Sequence, residues 1–253
     1  MKLTDNTILI TGGGSGIGRG LAEAFHALGN KVIIAGRRQN VLDKTTEANP
    51  GMASVVLDIE NSAAIRAFAT QITSQHQALN VLINNAGILS PENLTAQQHD
   101  LGDAEAMVTT NLLGPIRLTA ALLPHLKKQP RATILNVSSG LGFVPFPLVP
   151  TYSATKAALH SYTQSLRFQL RDTPVEVVEI IPPYVQTELG GSHQATDPRA
   201  MPLDEYITET MQILKNQPEA PENCVEKVKF LRFAEATGSF EKAFEMLTQM
   251  SFD

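Results

Sequence analysis

The chain predicts an α/β fold, a doubly wound parallel sheet of six or seven strands with helices on both faces, and three observations carry that reading. Short β-branched runs alternate with longer segments of helical period, the pattern of strands joined by crossover helices. The first run ends in a glycine-rich turn that opens a helix. No internal repeat or Gly/Ser-rich linker divides the 253 residues, so one domain spanning 1–253 is expected.

In order, strands are predicted at Thr7–Thr11, Lys31–Ala35, Ser54–Leu57, Val81–Asn84, Thr133–Val137 and Val175–Ile181. Helices are predicted at Gly16–Leu28, Gln39–Ala48, Ser62–Gln75, Asp103–Lys128 and Thr151–Leu170. Right-handed crossovers then place helices on both faces. The last quarter departs from this alternation. After Thr187 comes a polar stretch with Gly190, Gly191 and Pro198, then helical patterns near Leu203–Asn216 and Glu222–Ala236, with no obvious strand. Residues 188–253 are read as a mostly helical extension, either a cover over the ligand side of the sheet or a plain surface addition.

Composition narrows the functions. Apolar residues are 43% and charged ones 18%, which excludes a disordered chain and a coiled coil. With 20 basic and 25 acidic side chains the formal charge is −5, and no basic run offers a surface to nucleic acid or to an anionic membrane. The only cysteine, Cys224, has no partner for a disulfide, and no Cys or His spacing suggests a metal, so a reducing, cytoplasmic setting is expected. No uninterrupted apolar run approaches the ~18 residues of a membrane span, and the run before Gly12 is too short for a signal-peptide core.

The turn after the first strand reads Thr11-Gly12-Gly13-Gly14-Ser15-Gly16-Ile17-Gly18. Glycines there permit positive φ and let backbone N–H groups approach a pyrophosphate at the positive end of the following helix. The spacing is TGxxxGxG, not GxGxxG. A glycine turn by itself is often only a turn; between a first strand and an amphipathic helix it reads as a nucleotide site. After the second strand, where an acidic residue would bind ribose hydroxyls, stand Arg37 and Arg38. Guanidinium groups suit a ribose 2′-phosphate, which favours NADP(H) over NAD(H). The plainer alternative is a solvated helix start, although cations at a helix N-terminus oppose its dipole.

Tyr152 and Lys156 are four residues apart in a helical pattern and share one face. A phenol ionises near pH ~10, so a nearby ammonium is expected to lower the pKa of Tyr152. Such a pair also arises by chance in ordinary helices. Ser138 and Ser139 end the fifth strand, Asn84-Asn85-Ala86-Gly87 closes the fourth, and Asn111 interrupts an apolar helical stretch.

Together these residues resemble the short-chain dehydrogenase/reductase family, the NAD(P)-dependent oxidoreductases with a single Rossmann domain. The resemblance covers about Lys2 to Thr187, and the motifs are specific jointly, through TGGGSGIG, NNAG and an Asn–Ser–Tyr–Lys set in matching order. It implies a catalytic tetrad of Asn111, Ser139, Tyr152 and Lys156. It further implies cofactor contacts from Gly12, Gly14, Ser15, Gly16, Ile17 and Gly18 at the pyrophosphate and from Asp58 and Ile59 at the adenine. Asn85, Ala86 and Gly87 would lie along the ribose region, and Val185 and Thr187 at the nicotinamide amide. The patterns Met201–Glu205 and Phe230–Glu235 are similar to one bacterial branch of the family.

Two departures stand out: Pro182-Pro183 replaces the family's usual Pro-Gly after strand six, and no glycine-rich final strand follows Cys224. A homodimer through the helices Asp103–Lys128 and Thr151–Leu170 is expected rather than a tetramer. The expected function is NADP(H)-dependent hydride transfer on a small-molecule carbonyl or alcohol, with a catalytically idle NADP-binding regulatory protein as the alternative. Leu141, Phe143, Phe146, Tyr184 and Leu189 are either pocket lining or core.

Overall fold

Residues 1–97 and 100–250 are described in a computed structural model of the chain; the last three residues of the 188–253 extension lie outside them. Seven parallel strands form one sheet in the order β3-β2-β1-β4-β5-β6-β7. They are β1 Thr7–Thr11, β2 Lys31–Gly36, β3 Ala53–Val56, β4 Leu79–Asn84, β5 Ala132–Val137, β6 Val175–Ile181 and β7 Glu222–Cys224. The order reverses between β1 and β4, which opens a crevice at the carboxyl ends of those two strands.

Alternation along the strands divides the apolar residues between two cores. Ile8, Ile10, Val178 and Ile180 face α1 (Gly16–Ala27), α2 (Gln39–Ala48) and α7 (Leu203–Asn216), whose Phe25, Leu42 and Tyr206 complete that side. Leu9, Leu82, Ile134 and Val177 face α3 (Ser62–Gln75), α5 (Gly114–Leu126) and α6 (Pro150–Leu170). Asn61 caps α3, its side chain accepting from the N–H groups of Ala63 and Ala64 at 3.0 Å.

Three elements differ from the sequence reading. The predicted helix Asp103–Lys128 is α4 (Gly102–Val108), a π-helical turn at Thr109–Leu113, and α5. The whole run Gly102–Leu126 is long and apolar enough to cross a membrane, yet Leu118, Leu122 and Leu126 are fully buried against the sheet, the signature of a core helix. Second, the helix expected at Glu222–Ala236 begins instead as β7, which pairs with β6 from Glu179↔Glu222 to Ile181↔Cys224. Only then come a 3₁₀ turn at Glu226–Val228 and the short helix α8 (Lys229–Arg232). Three residues are too few for a visible alternation, and the β6 edge decides their conformation. Third, a further helix, α9 (Phe240–Thr248), closes the described chain.

Candidate active site

The glycine turn is shaped by backbone sterics. Gly12 and Gly16 have φ of +65° and +50°, a region that favours glycine. A Cβ on Gly18 would lie 2.3 Å from the Gly12 carbonyl oxygen and 2.4 Å from Asn85 Nδ2, and one on Gly13 would lie 2.5 Å from Ile34 Cγ2. Gly14 packs on Val41 of α2. Ser15 is the exposed N-cap of α1, and its hydroxyl makes no cap bond. The first N–H groups of α1 therefore have no side-chain cap. The positive-φ turn, the helix start without a cap bond from Ser15 and the absence of Cβ atoms fit a dinucleotide pyrophosphate.

Thr11 fastens this turn to the next loop, its hydroxyl accepting from the N–H groups of Asn85 (3.0 Å) and Ala86 (3.1 Å). Asn85 Nδ2 returns a bond to the Thr11 carbonyl at 3.0 Å. A Cβ on Gly87 would stand 3.3 Å from Asn111 Oδ1 and 3.8 Å from Lys156 Nζ, so this loop runs from the glycine turn to the tetrad. Thr187 reaches the turn from the other side: a Cβ on Gly16 would meet its methyl at 3.3 Å. Gln194 holds that segment, donating to the Val185 carbonyl (2.8 Å) and to Thr187 Oγ1 (3.1 Å). Gln194 lay in the segment where the chain pattern carried no signal. Asp58 is exposed and Ile59 buried just beyond β3.

The two arginines differ. Arg37 pairs with Glu60 at 2.8 Å, and Glu60 also accepts from the Thr110 hydroxyl at 2.8 Å. Arg38 is exposed at the start of α2, with no side-chain partner among the described residues.

Asn111, Ser139, Tyr152 and Lys156 come together from three elements. Asn111 sits in the π-helical turn, fully buried, its amide making two bonds to the Ile88 backbone at 2.8 and 2.9 Å. It does not merely satisfy its own helix, and π turns of this kind are frequent at functional sites. It also donates to Thr155 Oγ1 at 3.3 Å. Ser139 follows β5 and accepts from the Leu141 N–H at 3.1 Å, while its side chain also meets the Tyr152 phenol. Lys156 Nζ donates to the Val137 carbonyl at 2.9 Å and lies 5.5 Å from the centre of the Tyr152 ring.

Electrostatics correct one expectation. Burial pushes the Tyr152 phenol up to about 12, partly opposed by the Ser139 hydrogen bond. Lys156 does not lower it: in this arrangement desolvation of a phenolate dominates and the ammonium is turned to Val137. Burial also brings Lys156 down to about 8, with the Glu179 carboxylate opposing the fall. At neutral pH the pair is a phenol beside an ammonium.

Tyr152 belongs to an apolar cluster with Met107, Val144, Phe146, Val149, Ala243 and Leu247, against which Ile88, Leu141, Phe240 and Phe244 pack. Of the five lining candidates, Leu141 and Phe146 are in this cluster. Phe143 instead stacks edge-on with His160, Tyr184 donates to Asp197 at 3.1 Å, and Leu189 is exposed. The α9 residues were not readable as site neighbours, because some 90 residues separate them from Tyr152.

Residues 6–198 match the family model for short chain dehydrogenase. The chain is 38% identical over 250 residues to the "Uncharacterized oxidoreductase DltE" of Bacillus subtilis, covering 98% of each. Its fold is similar to that of a short chain dehydrogenase from Burkholderia cenocepacia in complex with NADP (TM-score 0.80, 25% identity, 99% of this chain and 100% of that one). It is also similar to an NADPH-bound carbonyl reductase from chicken fatty liver (TM-score 0.74, 29% identity, 83% and 91%). With fold, glycine cradle and family match in agreement, the chain belongs to the short-chain dehydrogenase family, oxidoreductases that act between alcohol and carbonyl groups with a nicotinamide cofactor.

Proposed function

We propose that this protein is an NADP(H)-dependent carbonyl reductase or alcohol dehydrogenase in which Tyr152 exchanges the proton at the substrate oxygen. The observation that carries the reading is the buried Tyr152 phenol, met by the Ser139 hydroxyl and followed one helical turn later by Lys156, beside the glycine cradle. When bound, the nicotinamide supplies or accepts the hydride. In the reducing direction Tyr152, protonated at neutral pH, donates to the carbonyl oxygen, and Ser139 hydrogen-bonds that same oxygen. Lys156 holds the nicotinamide ribose, and Asn111, with Lys156 close by, anchors the outward proton path. Gly12 to Gly18 line the pyrophosphate, Asp58 and Ile59 the adenine, and Val185 and Thr187 the nicotinamide amide.

Arg38, without a carboxylate partner, is the better placed of the two arginines for a 2′-phosphate, and the NADP(H) bound to two solved relatives supports that preference. The apolar cluster around Tyr152 favours a carbonyl with an apolar substituent. The exposed Phe168 of α6 and Val108 of α4 support pairing of two copies through these helices, and the unpaired Cys224 suits the cytoplasm. An idle cofactor sensor would need the cradle but not the tetrad.

The test is direct. Fluorescence titration with NADPH and NADH is expected to show tighter NADPH binding, and a panel of aldehydes and ketones followed by NADPH absorbance is expected to yield turnover. Binding without turnover across the panel would leave the sensor reading.

A further inference from the structure

A polar row crosses the carboxyl ends of the strands on the α6 side. In register, Asn84 lies opposite Asn136, Asn136 opposite Glu179, and Glu179 opposite Glu222. Asn84 donates to Asn136 at 2.8 Å, and Asn136 to Thr163 of α6 at 2.9 Å. Glu179 is fully buried, where a carboxylate is costly unless well partnered. The chemistry proposed above makes no use of it.

Its two oxygens hold different elements. Oε1 accepts from Ser138 Oγ at 2.5 Å, one residue before Ser139; Oε2 meets His160 Nδ1 at 2.7 Å. Tyr152, Lys156 and His160 recur every four residues along one stripe of α6. The Lys156 to Val137 bond joins the same two elements, one residue before Ser138 on the strand and four before His160 on the helix. One carboxylate thus grips the strand end that leads into Ser139 and the helix stripe that carries Tyr152 and Lys156.

The surrounding titratable groups are Lys156, His160 and Arg167 from α6, Glu222 and Cys224 from β7, and Arg232 from α8. Arg232 takes Glu222 through bonds of 2.7 and 2.8 Å and stacks over Phe143 at 4.5 Å. His160, Glu179 and Glu222 stand within 4.8 Å of one another, a spacing that suits a metal, but the Arg232 guanidinium already supplies the positive charge. Glu222 is thereby neutralised, and Glu179 is the carboxylate whose charge acts on Lys156.

We propose that Glu179 is a positioning residue, clamping the strand of Ser139 to the helix of Tyr152 and Lys156 and presenting a negative charge to Lys156. It acts through Ser138, His160 and Lys156. Its effect on turnover rests on the reductase reading, whereas the coupling to Lys156 belongs to the chain alone.

Urea unfolding of the cofactor-free protein tests that coupling with wild type, Glu179→Gln, Lys156→Met and the double variant at pH 7 and pH 10. At pH 7 Glu179→Gln is expected to lower the folding constant at least tenfold more with Lys156 present than in the Lys156→Met background. At pH 10, where Lys156 is neutral, the excess disappears. An equal cost in both backgrounds at pH 7 overturns the proposal. A Glu179→Gln chain that folds only together with Lys156→Met supports it. If both unfold, Glu179→Asp, which keeps the charge, is expected to cost the same at pH 7 with Lys156 present as in the Lys156→Met background; a tenfold excess with Lys156 present overturns the proposal. With NADPH, the affinity decline at rising pH is expected to shift down by about one pH unit in Glu179→Gln but not in Ser138→Ala, which loosens the clamp and leaves the charge. An unmoved midpoint also overturns it, while wild type that binds no NADPH overturns the reductase reading and leaves the unfolding result standing.

Discussion

The two sides of the crevice are built by different means. On the β1–α1 side the surface is backbone: Gly12 and Gly16 at positive φ, Gly18 against the Gly12 carbonyl, and Thr11 tying the turn to Asn85 and Ala86. On the β5–α6 side it is buried side chains, with Ser139, Tyr152, Lys156 and Asn111 each held by a polar partner. The first side is governed by space and the second by protons. Damage to the first should therefore change cofactor binding and stability with little dependence on pH, and damage to the second should change rates and pH profiles, touching cofactor affinity only through Lys156.

The largest effect expected is on the proton side. Tyr152→Phe keeps the ring in its apolar cluster and removes the phenol proposed as the acid, so single-turnover NADPH oxidation at saturating cofactor should slow by at least ~10²-fold. Its NADPH affinity should stay near that of wild type. A variant within a few-fold of wild type would assign the acid elsewhere.

Next is the space side. Gly18→Ala places a methyl 2.3 Å from a backbone oxygen that has no room to yield, which should cost about 1–3 kcal/mol of stability and weaken NADPH binding severely. Urea unfolding and cofactor titration at pH 6.5 and 8.5 should give the same losses. A strong pH dependence would break the division between the two sides.

The pH dependence itself comes from Lys156. Its folded-state pKa of about 8 lies below the ordinary lysine value of 10.5, so between these values the unfolded chain carries a proton that the folded chain has released. Stability then rises with pH across that window. Relative to Lys156→Met, wild type should gain about 1 kcal/mol per pH unit from pH 8 to 10. Turnover should fall over the same range as the ammonium is lost, while Tyr152, at about 12, keeps its proton.

The smallest effect is at the exposed arginines. Arg38→Ala should weaken NADPH binding by about 1–3 kcal/mol and leave NADH unchanged. Arg37→Ala should do less, since Glu60 already occupies its guanidinium. Equal losses for both cofactors would remove Arg38 from the 2′-phosphate.

How far each part could be read beforehand follows the same division. The glycine turn is contiguous, and its φ requirements are written in residue type, so Gly12 to Gly18 were legible along the chain. Tyr152 and Lys156 were legible because a helix brings residues four apart onto one face. His160 continues that stripe, but its meaning depends on Glu179, which arrives from β6. Gln194 and α9 were illegible as site neighbours, since a polar glutamine in a loop and a short amphipathic helix carry no mark of what they cover.

What the sequence determined by itself was local stereochemistry and periodicity: the alternation that makes a parallel sheet, the crossovers, the glycine cradle and the order of the Asn–Ser–Tyr–Lys set. The tertiary structure decided the rest. It made Glu222–Cys224 a strand because β6 offered an open edge, and it parted Arg37 from Arg38 because Glu60 reaches one of them. It also raised Tyr152 and lowered Lys156, because a proton's affinity depends on the water and charge around it, and only packing sets both.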